Sequence, residues 1–152
     1  MTQQPQNNIR AQVVAEAHTW IGTPYHHHGR IKGVGVDCAQ LLCAVYEACG
    51  LVDHVDTGFY PVDWHLHRSQ ELFVQTLAPH AEQQPAGTPA QPGDVFVFKY
   101  GRTFSHGAIY VGQDTDGGGL LVHSYIGRGV ILSGLFDEPL CGRDYQHWSI
   151  CI

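Results

Sequence analysis

The apolar residues of this chain change their spacing once, and that change restricts the fold more than any other feature. Up to Leu77 the periodic stretches have helical spacing. From Asp94 onward the apolar residues come in short runs separated by glycine-rich turns. Helices first and strands afterwards, with no internal repeat, predict an α+β fold, N-terminal helices packed on a C-terminal antiparallel β-sheet. A length of 152 residues points to a single domain over residues 1–152.

Residues 1–8 read as a loose polar lead-in. Val13, Val14, Ala17, Trp20 and Ile21 mark an amphipathic helix over residues 9–21, stopped by Gly22 and Pro24. Residues 22–36 read as a loop holding Gly29, Gly33, Gly35 and the run His26-His27-His28. A second helix starts near Asp37 and runs through Leu41, Leu42, Val45, Tyr46 and Ala48 to Gly50. Its one charge after Asp37 is Glu47, so it is expected to be largely buried. Residues 51–66 read as irregular. Ser69 is expected to cap a short third helix carrying Leu72, Phe73 and Leu77. Residues 79–92 read as a connector. Strands are expected at 94–100, 105–112, 120–126 and 130–134, with a last one within 146–152.

The composition excludes several classes of function. Apolar residues make up 43% of the chain and charged residues 14%, a globular balance. A formal charge of −6 argues against a nucleic-acid partner, because phosphate binding needs a basic surface. No window approaches the ~20 continuous apolar residues of a membrane span. Residues 1–10 lack the apolar stretch of a signal peptide, so synthesis and folding in the cytoplasm are expected. Five cysteines, an odd number with no C-x-x-C pair, argue for free thiols rather than a disulfide framework or a zinc ribbon.

One of these thiols stands where chemistry is easiest. Cys38 lies at the junction of a glycine-bearing loop and a buried helix. Unpaired N–H groups and the positive end of the helix dipole favour thiolate there. The competing reading is a small apolar residue at a helix start. Asp37 fits a helix cap or a handle for a substrate amine. Cys43 and Cys49, farther along the helix, read as core. His106 opens a strand beside a loop, a rigid mount for a base with one side open to substrate. His123 lies on the next strand. If the two strands pair with an odd residue-number sum, the two histidines share a face, and His123 can fix the tautomer of His106. A one-residue slip separates them. A hydrogen-bonded structural histidine is the alternative for each. His26-His27-His28 and His65-x-His67 suggest a metal site, but adjacent loop histidines chelate poorly unless a fold converges them. The expectation is no metal and no cofactor.

These pieces, in this order, resemble the NlpC/P60 family of papain-like cysteine peptidases. The resemblance rests on three blocks. One is Gly22-Thr23-Pro24-Tyr25 followed by Gly35-Val36-Asp37-Cys38. Another is Pro92-Gly93-Asp94-Val95-Phe96-Val97-Phe98. The third is Ser105-His106-Gly107-Ala108-Ile109-Tyr110-Val111-Gly112 with Val122-His123-Ser124. It implies a papain-like fold, with Cys38 as nucleophile, His106 as base, His123 as orienting residue and Tyr25 near the oxyanion. It also implies cleavage of peptidoglycan stem peptides between D-glutamate and a diamino acid. Ala39-Gln40 stand where the family usually has Ser-Gly. Gly33-Val34-Gly35-Val36-Asp37-Cys38-Ala39 and Asp63-Trp64-His65-Leu66-His67-Arg68 look most like members found in phage tails and gene transfer agents. That likeness implies phage tail proteins as partners and a place on the virion. Two rivals use the same fold: a binding module without turnover, and an amidase or acyl transferase using the same thiol and imidazole.

Overall fold

The computed structural model describes residues 3–58, 60 and 72–150. Helix α1, Gln3–Thr19, buries Val13 and Ala17, with Arg10 and Trp20 continuing the stripe at helical spacing. The lead-in is thus helical from Gln3. Residues 5–8 are exposed, so no apolar period marks their turns, and Pro5 sits in the first turns, where a missing N–H costs little. Ile21, expected on the buried stripe, lies beyond the helix end and is 42% exposed.

The loop at 22–36 holds a small antiparallel hairpin, β1 (Arg30–Ile31) with β2 (Gly35–Val36). Strands of two residues leave no alternation to read. Tyr25 bridges Val36 beside it. Helix α2, Cys38–Ala48, starts on Asp37, whose side chain accepts from Gln40 N. Gly50 takes φ +72 just past its end, and Leu51 N donates to Tyr46 O, closing the last turn. Helix α3, Leu72–Leu77, buries Phe73 and Leu77; the proposed cap Ser69 and the pair His65 and His67 lie outside the described residues.

The main sheet has six strands in the order β3-β8-β4-β5-β6-β7, all neighbours antiparallel. They are β3 (Glu82–Gln83), β4 (Val95–Tyr100), β5 (Thr103–Gln113), β6 (Gly119–Tyr125), β7 (Gly129–Gly134) and β8 (Tyr145–Ser149). The connector at 79–92 therefore supplies an edge strand, β3. The larger core lies between helices and sheet, with Val13, Leu41, Val45, Val95, Val97, Ile109 and Val122 at its centre. Phe96, Phe98, Ala108, Tyr110 and Leu121, from the alternate strand positions, form a second cluster with Leu140 from the β7–β8 loop. β4 is thus buried on both faces, which is why its sequence is an unbroken apolar run.

Two close approaches hold the layers. Gly107 lets α3 reach β5, since a Cβ there would stand 2.3 Å from the Phe73 ring. The Arg10 guanidinium bonds Asp94 Oδ1 at 2.9 Å, and His147 Nε2 lies 2.6 Å from Asp94 Oδ2, joining α1 to the sheet. Burial opposes ionisation of Asp94, but Arg10, the Gln91 amide and His147 outweigh it and hold the carboxyl below its usual range.

Candidate active site

Cys38 is the first residue of α2, so its sulfur sits at the helix N-terminus. Sγ lies against the main chain on both sides of His106. It donates to the Ser105 carbonyl at 3.7 Å and meets the Gly107 N–H. Its hydrogen bond goes to that carbonyl and not to the imidazole. Burial pushes the Cys38 thiol up to about 12, with the Asp37 charge adding, and the nearby N–H groups only partly offset this. The resting group is a neutral thiol.

Two bulges shape the strand opposite it. Phe98 pairs with His106, but Lys99 pairs with Phe104, so Ser105 is an extra residue that turns its carbonyl toward the thiol. Farther along β5, Gly112 pairs with Leu120 while Tyr110 pairs with Leu121, so Val111 is extra. Near the turn the residue-number sum is even; beyond Val111, at Ile109↔Val122, it is odd. The odd register puts His106 and His123 on one face. Their rings meet at 5.0 Å and 81°, with His106 Nε2 2.7 Å from His123 Nδ1.

His123 is fully buried, and its Nε2 lies 2.8 Å from Ser133 Oγ. Burial lowers His106 well below the ordinary imidazole value, with His123 and Arg143 adding. Burial likewise lowers His123 to about 4, with Arg128 adding. Both rings are neutral near pH 7. If His106 is to accept a proton at Nδ1, its Nε2 must carry hydrogen and donate to His123 Nδ1. His123 Nε2–H then donates to Ser133. Ser133 was missed by the sequence reading. Its only signal is a lone hydroxyl in an apolar strand, and its place diagonal to His123, two residues past the directly paired Ile131, needs the β6–β7 register.

Tyr25 is half-buried. Burial, with Cys38 and Asp37 adding, raises its phenol far above the ordinary value, so it stays an O–H donor. Asp37 is 1% exposed. Its Oδ1 accepts from Gln40 N at 2.8 Å, while Oδ2 accepts from His28 N at 2.8 Å and from the Tyr60 hydroxyl. Of its two expected roles the geometry fills the cap. A carboxylate so enclosed has little surface to offer a substrate amine. Gln40, where the family usually has glycine, is also structural: it accepts from Arg30 Nε and donates to Thr57 and Tyr60. Two members of the histidine run close on Tyr60 and the third does not. His27 Nε2 lies 2.8 Å from the Tyr60 carbonyl, the His28 ring stacks on the Tyr60 ring, and His26 is exposed. Among the described residues no three His, Cys, Asp or Glu side chains converge as metal ligands.

A wall the sequence reading also missed flanks His106. Tyr100 and Tyr125, both half-exposed, stand 5.2 and 5.6 Å from its ring, and the Arg143 guanidinium lies 3.5 Å over Tyr100.

Residues 22–140 match the model of the NlpC/P60 family. Among solved structures, the chain resembles the NlpC/p60 domain of the peptidoglycan hydrolase SagA at 24% identity and a TM-score of 0.56, covering 90% of this chain and 96% of that one. An NlpC/P60 family protein from Bacillus cereus is 18% identical with a TM-score of 0.63, over 90% of this chain and 39% of that one. A Staphylococcus aureus protein described as similar to lipoprotein, NLP/P60 family, is 20% identical with a TM-score of 0.61, over 92% and 41%. The chain thus spans about two fifths of the last two. No curated protein matches. These likenesses show the fold, helices on an antiparallel sheet.

Proposed function

This chain belongs to the NlpC/P60 family, and we propose that it is a cysteine peptidase that hydrolyses amide bonds in peptidoglycan stem peptides, of the γ-D-glutamyl–diamino acid type. One observation carries this reading. A thiol at a helix N-terminus lies against the backbone of His106, and His106 is tied through His123 to Ser133.

In the proposed reaction the Cys38 thiol gives its proton to His106 Nδ1 as Sγ attacks the peptide carbonyl. The Cys38 N–H and the Tyr25 hydroxyl hold the oxyanion. His106 then protonates the leaving amine as the C–N bond breaks, leaving a thioester on Cys38. It next takes a proton from water, which attacks the thioester and releases the carboxylic acid and the thiol. With thiol and imidazole both resting neutral, proton transfer accompanies attack on the bound carbonyl. Apo hydrogen bonds of this kind commonly tighten on binding.

Purified peptidoglycan incubated with wild type should release new amines, and Cys38→Ala should release none. Wild-type activity in Cys38→Ala would sink the mechanism, and fragment masses would name the bond. On the likeness of residues 33–39 to tail members we further propose delivery on a virion tail, made in the cytoplasm. Its absence from purified particles by mass spectrometry would count against that placement.

A further inference from the structure

The cations of this acidic chain are unevenly used. Arg10 pairs with Asp94, Arg30 with Glu47 and Lys32 with Glu16. Lys99, Arg102, Arg128 and Arg143 make no ion pair among the described residues. All four sit at one end of the sheet, where β4 and β6 finish and β5, β7 and β8 begin. That is the end carrying His106. In a chain of net charge −6, unpaired positive charge gathered beside one histidine needs an explanation.

Arg143 is the best held of the four. Its guanidinium carbon lies 3.5 Å above the Tyr100 ring, Nε donates to the Pro139 carbonyl at 3.3 Å and Nη1 to the Lys99 carbonyl at 3.4 Å. The neighbouring Asp144 does not pair with it. Tyr100 is the link to the chemistry, 5.2 Å from the His106 ring, with Tyr125 6.1 Å from Tyr100 and 5.6 Å from His106. A leaving amine must depart within reach of His106, so the residue bearing it lies along this wall. A planar guanidinium stacked on an aromatic ring is oriented for a carboxylate in a way a free lysine is not.

We propose that Arg143, held over Tyr100, forms an anion subsite on the leaving-amine side. It selects stem peptides whose diamino acid carries a free side-chain carboxylate over those ending in a bare amine or a carboxamide. The proposal rests on the hydrolase reading for its substrate, though not for its charge chemistry. Because Arg143 is exposed, the preference should be that of a screened pair, about fivefold, and should fade with salt.

Two L-alanyl-γ-D-glutamyl-diaminopimelate peptides, one with the free side-chain carboxylate and one with it amidated, test this by kcat/KM. Wild type should favour the carboxylate about fivefold. Arg143→Gln should bring the ratio to about one, and Arg143→Lys should fall between. No preference in wild type, or the same ratio in Arg143→Gln, overturns the subsite. A second arm follows the Arg143 Nε–H resonance of the Cys38→Ala protein during titration with free diaminopimelic acid or with lysine. A saturable shift with the diacid alone supports the subsite, and no shift overturns it. If wild type cleaves neither peptide but the shift appears, the hydrolase reading fails and the subsite stands.

Discussion

Two histidine groups in this protein make an instructive pair. His26, His27 and His28 are consecutive, yet they do not act as one: His26 stays exposed, while the His27 and His28 rings meet edge-on at 4.5 Å and both bring Nε2 to the Tyr60 carbonyl. His106 and His123 are 17 residues apart, yet their ring nitrogens meet at 2.7 Å in a buried setting. Adjacency in sequence put two of the three imidazoles at one tyrosine carbonyl, whereas strand register made a directed pair. The first group is local and its members need not agree in direction. The second is fixed by ladders on both sides, so its geometry is set before any substrate arrives.

That contrast breaks most sharply at His123. Replacing it with alanine leaves His106 Nε2 unsupported, and misorientation of a base should cost roughly a hundredfold in kcat with KM little changed. A kcat within twofold of wild type would mean the pair is packing only. Alongside the likewise lowered His106, the same residue contributes to acid stability. Its folded value of about 4 lies below the ordinary 6.5, so the unfolded chain takes up the proton first. The stability from a neutral His123 is whole above about pH 6.5 and is lost as pH falls toward 4. The loss is on the order of 3 kcal/mol. Denaturant melts of wild type and His123→Phe across that window read it, and parallel pH profiles would refute it.

A smaller effect is expected one bond farther out. Ser133→Ala removes the acceptor for His123 Nε2–H and should slow turnover about tenfold, the worth of one hydrogen bond, with Ser133→Thr recovering most of it. The smallest effect belongs to the other group. His27→Ala should change kcat/KM by less than about twofold and stability by less than about 1 kcal/mol, as for a polar site outside the core. A large loss of activity there would erase the distinction between the two groups.

How much of this was legible depends on the length scale of each signal. Helix α2 and its Gly50 end were readable because a buried face, a capping aspartate and a glycine agree. The strands were readable to within a few residues because runs such as Val95–Tyr100 are long enough to show their burial. The hairpin at 30–36 and strand β3 were not, since two residues carry no period. The parity that joins His106 to His123 could be stated as a condition but not solved, because it depends on a bulge at Val111, which the neighbouring Gly112, at φ +139, marks as an irregularity without fixing the pairing. Ser133 and Arg143 lay hidden for a related reason. Each matters through a partner in another strand or loop, Ser133 through His123 and Arg143 through Tyr100.

The Val111 bulge also sets what changes in length this hairpin can absorb. Val111 is a spare residue: the ladder steps from Gly112↔Leu120 to Tyr110↔Leu121 without it. A single deletion there can be taken up by straightening the strand, at the cost of one half-buried valine, and leaves every partner of His106 in place. Ironing the bulge flat at full length would instead slide His106 one position along its neighbour and point it away from His123. The stretch is therefore tolerant of shortening and intolerant of regularity.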